Sequence, residues 1–220
     1  MTVGFFTVVR SDPQHYLHAA SLVREVSAVM PGVPVVQLTD MVTPEVPGVS
    51  SVRRIHHGPM LERRIEQYGN VDGNWLLVDT DVSIRKDIRA VFDDPVFDVA
   101  LTDRQWPHLP QTAEVLATMP FNTGVAFSRA PGFWRDVLDV WRGLTEKDWM
   151  SEQRAVYTVV QSGRWRVKVL PGMEFNYPPG SATDTTPAAL WHYKGPHRKV
   201  WLSAHATTVV GQPARVETCV

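Results

Sequence analysis

Cysteine is almost missing from this chain: the single one, Cys219, stands one residue from the end of 220. That excludes a disulfide framework, a thiolate metal cluster and a cysteine nucleophile in a packed site, so a reducing compartment, the cytoplasm, is expected. An excess of either charge is missing too, with 22 Lys plus Arg against 23 Asp plus Glu. Bulk charge therefore does not call for a phosphate backbone or an anionic membrane as partner. No uncharged apolar run approaches the ~20 residues of a membrane helix. The apolar start at residues 3–9 has no basic residue before it and no small-residue cleavage site after it, so it reads as a strand and not a signal peptide. Also absent are a Gly-rich phosphate loop followed by Lys, Gly-x-Gly-x-x-Gly, His-Glu-x-x-His and Gly-x-Ser-x-Gly, which removes the enzyme classes those motifs serve.

What is present is the balance of an ordinary globular domain, 44% apolar and 20% charged, with no linker or repeat to divide residues 1–220. Residues 14–30 carry apolar side chains at helical spacing up to Pro31-Gly32, and residues 33–38 form a short apolar run ending in Thr39-Asp40. Residues 49–55 read as a weak strand, Met60–Tyr68 as a helix, and Trp75–Val78 as a buried strand that delivers Asp79-Thr80-Asp81. Residues 97–101 predict a strand ending at Thr102-Asp103, 106–120 a Pro-punctuated loop, and 122–128 an extended segment. Helices follow over 131–144 and Ser151–Gln161, then a strand over Val167–Leu170 and a loop over 171–187. Strands alternating with helices predict an α/β domain with a mostly parallel sheet covered on both faces.

Asp79 and Asp81 would then sit together at the carboxyl edge of a buried strand, where open α/β sheets bind ligands. Two carboxylates so close repel unless a cation lies between them, which suits a hard divalent ion, Mn²⁺ or Mg²⁺, that also takes phosphate oxygens. A bland alternative is that the triplet only caps the turn that follows. Asp40 is equally a nucleoside contact or a cap. Most of the tryptophans read as core or rim, although Trp106 in its Pro-flanked loop could stack on an acceptor.

The stretch after the triplet, Ile84-Arg85-Lys86-Asp87-Ile88 with Phe92, resembles the metal-binding segment of nucleotide-sugar transferases of the GT-A fold. Downstream, Phe121-Asn122-Thr123-Gly124-Val125 and His192-Tyr193-Lys194-Gly195-Pro196 are similar to two segments of glycosyltransferase family 8, in that family's order. Between them, Glu152-Gln153 resembles its acidic-Gln pair at a helix start. The resemblance spans residues 3–201 and implies a single GT-A domain that moves a hexose from a nucleoside diphosphate sugar, a UDP-sugar, to a hydroxyl acceptor. It implies Asp79, Asp81 and His192 as ligands of Mn²⁺ or Mg²⁺, and Asn122 and Gly124 facing the donor sugar. It places Asp103 near a sugar-contacting acid, Gln153 facing the anomeric carbon, and Arg63, or its neighbour Arg64, reaching the donor. Lys194 and Gly195 belong to the same segment, and either Arg198 or Lys199 would meet the diphosphate. Retention of anomeric configuration is implied as well, because the residue facing the anomeric carbon is an amide, which is no base at neutral pH. Glu152, its neighbour, reads equally as an early-helix acid or as a catalytic group. Adjacent helical residues point about 100° apart, so the two are not expected to face the sugar together.

Two departures bear on the donor. The segment Thr7-Val8-Val9-Arg10-Ser11-Asp12 replaces the family's motif at the end of the first strand, and the region after Gly195-Pro196 is one residue longer. The acceptor is left open among a glycan, a protein, a small metabolite and a hydroxylated base in DNA. Two rival functions stand beside this reading. Asp79-Thr80-Asp81-Val82 also matches the Asp-x-Asp-x-[Thr/Val] of haloacid dehalogenase-type phosphohydrolases, with Asp79 as nucleophile, but 78 residues precede it and the C-terminal half offers no second acidic pair, only scattered Glu152, Glu174, Asp184 and Glu217. A non-catalytic nucleotide-sugar-binding module is the other.

Overall fold

A computed structural model describes residues 1–8 and 13–210. Cys219 and residues 9–12 of the departing segment lie outside the described residues. The elements in chain order are β1 (Thr2–Phe6), α1 (Pro13–Val29), β2 (Val35–Asp40), β3 (Ser51–Ile55), α2 (Met60–Tyr68), β4 (Trp75–Val78) and β5 (Val82–Ile84). A 3₁₀ turn (Arg89–Asp93) leads to β6 (Val99–Asp103), α3 (Ala113–Thr118), β7 (Phe121–Ser128), α4 (Pro131–Gly143) and α5 (Ser151–Gln161). The chain continues through β8 (Val167–Leu170), α6 (Gly172–Phe175), β9 (Leu190–His192) and α7 (Pro196–Val210).

Seven strands form one sheet in the order β3-β2-β1-β4-β7-β6-β8. All its neighbour pairs are parallel except the two made by β7, so six strands run one way and β7 runs against them. Alternate residues divide the sheet between two cores, as strand geometry requires. Val3, Phe5, Leu76, Val78 and Phe127 pack against α1 on one face. Phe6, Trp75, Leu77, Leu101 and Ala126 pack against α2, α4 and α5 on the other. The four residues of β4 are all buried because both faces are covered, which is why Trp75–Val78 reads as an unbroken apolar run. α4 opens on Pro131, whose missing N–H costs nothing at a helix start.

The loop predicted over 106–120 contains α3. Thr112 caps it by accepting a hydrogen bond from Val115 N–H, a local signal that the surrounding prolines obscure. The loop predicted over 171–187 likewise begins with the single turn α6. The His192 segment runs into α7, whose Leu202 is buried.

This topology puts the carboxyl ends of β1, β2, β3, β4 and β6 at one edge of the sheet. Because β7 is reversed, its first residues arrive at that same edge. The β6–β7 pairing jumps there from Leu101–Ala126 to Thr102–Asn122, which leaves Thr123, Gly124 and Val125 outside the β6 ladder. A separate antiparallel pair, β5–β9, matches Val82 with His192 across more than a hundred residues. Among the described residues no helix is long and apolar enough to cross a membrane.

Candidate active site at the sheet edge

The chain turns sharply after β4, with Val82 N–H donating to the Asp79 carbonyl at 3.2 Å, so Asp79 and Asp81 both overhang the sheet edge. The Tyr193 N–H donates to the Asp81 carbonyl at 2.9 Å and fixes β9 against this turn. His192 Nε2 consequently lies 3.2 Å from Asp81 Oδ1 and 3.7 Å from Asp79 Oδ2. Gly124 makes the approach feasible. A Cβ there would overlap His192 Cε1 and lie 2.8 Å from Asp79 Oδ2.

These three side chains offer ligand atoms within 4.8 Å of one another and could hold a metal ion. The donor set, two carboxylates and one imidazole, suits a hard divalent ion that also takes phosphate oxygens. The imidazole is oriented for the task, because its Nδ1 lies 2.8 Å from Asn176 Oδ1 and its Nε2 faces the carboxylates. Asn176 is fully buried and donates through Nδ2 to Thr102 Oγ1 and to Asn122 Oδ1. Its carbonyl oxygen is thereby the end left to accept from His192. Partners of this kind set the tautomer and basicity of a ligating histidine. Burial would raise the Asp81 carboxyl, but His192 and Lys199, the latter 3.3 Å away, outweigh it and hold Asp81 well below the usual carboxylate range.

The network continues away from the metal ligands. Asn122 Oδ1 accepts from Gly124 N–H as well as from Asn176, and Asn122 Nδ2 donates to Gln153 Oε1 at 3.4 Å. Gln153 Oε1 accepts a second, close hydrogen bond from the Arg104 guanidinium. With its oxygen so engaged, Gln153 presents its amide NH₂ to the cleft. Arg64 closes the opposite wall, donating to Asp79 Oδ1 at 2.6 Å, to Glu152 Oε1 at 2.9 Å and to Thr123 Oγ1 at 3.3 Å. Burial disfavours the Arg64 charge, and Asp79 and Glu152 outweigh that, so the guanidinium is held more firmly protonated than usual. Burial raises the Glu152 carboxyl, and Arg64 offsets only part of the shift. Burial, reinforced by Arg104, brings the Lys194 ammonium down to about 7.

Asp79, Asp81, Asn122, Gly124, Glu152, Gln153, His192, Lys194, Gly195 and Lys199 all line one cleft of about 410 Å³, with Arg64. Contrary to the expectation from helical geometry, Glu152 and Gln153 both face this cleft. α5 meets it with its first turn, so the neighbours diverge to opposite walls, one onto Arg64 and the other onto Asn122 and Arg104. Trp149, 73% exposed, stands on the rim. Gly195 turns the chain with φ +81°, a conformation glycine adopts freely.

Four of the predicted residues lie elsewhere. Asp103 accepts from the backbone N–H groups of Gln105 and Gly172 at 3.1 and 2.9 Å, tying β6 to α6 outside the cleft lining. Arg198 is buried and donates to the carbonyls of Pro179 and Lys194, so Lys199 and not Arg198 faces Asp81. Arg63 pairs with Glu66 and lines a separate apolar pocket of about 220 Å³, together with Phe6, Val8, Asp40, Ile55 and Met60. Asp40 caps the turn below that pocket, accepting from Val42 and Thr43 N–H. Residues missed by sequence reasoning are Arg104, Thr123 and Asn176. The only signal for them was the neighbourhood of Asn122 and Thr102, since each acts through hydrogen bonds over long sequence separations.

Neither a protein-family model nor a curated protein matches the sequence. Solved structures do. The chain is similar to the galactosyltransferase LgtC, solved in complex with donor and acceptor sugar analogs, with a TM-score of 0.63 at 15% identity over 99% of this chain and 98% of that one. A glycosyltransferase involved in glycosylating the major capsid of PBCV-1 matches with a TM-score of 0.59 at 15% identity, over 94% and 100% of the two chains. The glycosyltransferase GlyE of Streptococcus pneumoniae TIGR4 matches with a TM-score of 0.65 at 14% identity, over 97% of this chain and 65% of that one. The fold is the GT-A glycosyltransferase fold.

Proposed function

We propose that this chain is a metal-dependent glycosyltransferase that moves a hexose from a nucleoside diphosphate sugar, a UDP-sugar, to a hydroxyl acceptor with retention. The observation that carries this reading is the Asp79–Asp81–His192 triad at the sheet edge of a GT-A fold, with an amide, Gln153, on the wall of the same cleft. Asp79, Asp81 and His192 would hold Mn²⁺ or Mg²⁺, which when bound neutralises charge on a leaving diphosphate. Lys199 adds positive charge on the same wall, and Lys194 stands beside it as a hydrogen-bond donor whose charge burial weakens. The nucleoside is assigned to the apolar pocket of Phe6, Val8, Ile55 and Met60 that adjoins the cleft.

What the cleft carboxylates already do supports retention. Asp79 and Asp81 serve the metal site, and Glu152 is tied to Arg64, so no carboxylate among the described cleft residues is left to act as the base an inverting transferase needs. The acceptor proton then passes to the departing diphosphate oxygen, and Gln153 positions the sugar by donating from its NH₂ group. A haloacid dehalogenase-type hydrolysis is disfavoured because Asp79, its nucleophile, is already engaged by Arg64 and His192.

Calorimetry with UDP tests the reading. Tight binding is expected only with Mn²⁺ or Mg²⁺, and Asp81→Asn should remove the metal effect while leaving the protein folded. Equal affinity in EDTA would overturn the metal assignment. Proton NMR of early product from an α-linked donor should show an α-linkage, and a β-linked product would overturn retention.

A further inference from the structure

Beside the cleft runs a groove of about 280 Å³ lined by Trp106, Pro107, Pro110 and Leu116, with Arg104 and two glutamines also in its lining. Arg104 is only 5% exposed, yet no carboxylate among the described residues meets its charge. Its Nε donates to the Phe121 carbonyl at 3.1 Å and one terminal nitrogen to Gln153 Oε1, both neutral acceptors. The other terminal nitrogen bonds to nothing among the described residues. Arg64 provides the contrast, since it is comparably enclosed but has two carboxylates on it. A guanidinium removed from water without a counter-charge is costly, and burial alone brings Arg104 down to about 10. Lys194 stands over the Trp106 ring, its Nζ 4.3 Å from the centroid, between groove and cleft.

The cleft carboxylates are already engaged elsewhere: Asp79 and Glu152 on Arg64, and Asp81 on His192 and Lys199. None of them is paired with Arg104. It touches Gln153, so an anion on its open nitrogen would sit next to the site of transfer.

Resting on the transferase reading, we infer that the groove is the acceptor subsite and that the acceptor carries a carboxylate or phosphate, bound by Arg104, close to the hydroxyl that attacks. The apolar walls take the body of the acceptor. In the transfer, the acceptor oxygen bonds to the anomeric carbon as the bond from that carbon to the diphosphate oxygen breaks. The acceptor proton goes to the departing diphosphate, and the acceptor's anionic group is unchanged.

The test uses protein loaded with Mn²⁺ and UDP, with phenyl phosphate as the anionic probe and benzyl alcohol as the neutral one, followed by calorimetry. Phenyl phosphate should bind the loaded protein more tightly than benzyl alcohol, and Arg104→Gln should weaken it by ~10-fold or more, as loss of a charge-assisted hydrogen bond implies. Leu116→Glu, at a wall position 40% exposed and tolerant of change, should weaken the same probe by like-charge repulsion even if Arg104→Gln fails to fold. Equal binding of the two probes, indifference to both substitutions, or displacement of UDP by phenyl phosphate would overturn the proposal. So would a selective loss of UDP-glucuronic acid relative to UDP-glucose binding in Arg104→Gln, because the anion would then belong to the transferred sugar. UDP binding is measured first: its failure strikes the transferase reading itself, whereas intact UDP binding without anion binding strikes the acceptor subsite alone.

Discussion

Two cavities share the sheet edge and differ in how they are built. The apolar pocket collects side chains from the ends of three neighbouring parallel strands, Phe6 and Val8 beyond or within β1, Asp40 on β2 and Ile55 on β3. The polar cleft collects its groups from β4, β7, α5, β9 and α7, which meet only because β7 reverses and β5 pairs with β9. α2 stands between the two, with Met60 on both and the successive residues Arg63 and Arg64 turned to opposite sides. Parallel neighbours suffice to make an apolar hollow. A directed polar network needs contacts from distant parts of the chain.

The sharpest way to break the comparison is to exchange the roles of the two arginines. Arg64→Met would leave Asp79 and the buried Glu152 facing each other without a cation. Chemical denaturation should show a loss of about 3–5 kcal/mol, the scale for breaking a buried ion pair from one side, together with loss of transfer. Arg63→Met removes only a partly exposed partner of Glu66 and should stay within about 1 kcal/mol. A larger loss in Arg63→Met would mean that the helix presents the opposite faces.

A finer break acts on the network alone. Asn176→Ala removes the group that orients His192 without touching a ligand, so Mn²⁺ affinity measured by titration should fall ~10–100-fold, as for other partners of ligating histidines. UDP binding without metal should be unchanged. An unaltered Mn²⁺ affinity would show that His192 is held by the β5–β9 pair alone.

The smallest effect sharpens the comparison from below the cleft. Glu25 on α1 accepts from Ile84 N–H at 2.9 Å, and burial raises its carboxyl from 4.5 to about 7. The folded protein therefore binds more protons than the unfolded chain between those values, so this contribution to stability is lost as pH rises from 4.5 to 7. Glu25→Gln should flatten the decline by on the order of 1 kcal/mol at a partly solvated position. Thermal melts across that range would show it, and an unchanged pH profile would remove Glu25 from the account.

The sequence by itself determined the elements whose patterns are local. Trp75–Val78, Met60–Tyr68 and Ser151–Gln161 are bounded in the structure where apolar runs, helical spacing and punctuation put them. The Asp79-Thr80-Asp81 triplet was equally visible, because strand and carboxylates are contiguous. Only the tertiary structure decided that Arg64 rather than Arg63 enters the cleft, that Lys199 rather than Arg198 faces Asp81, and that Asp103 serves the backbone of α6. It alone brought in Arg104 and Asn176. The reason is physical: hydrophobic periodicity is written along the chain at spacings of two and 3.6 residues, whereas a hydrogen bond between side chains 49 or 54 residues apart leaves no period to read.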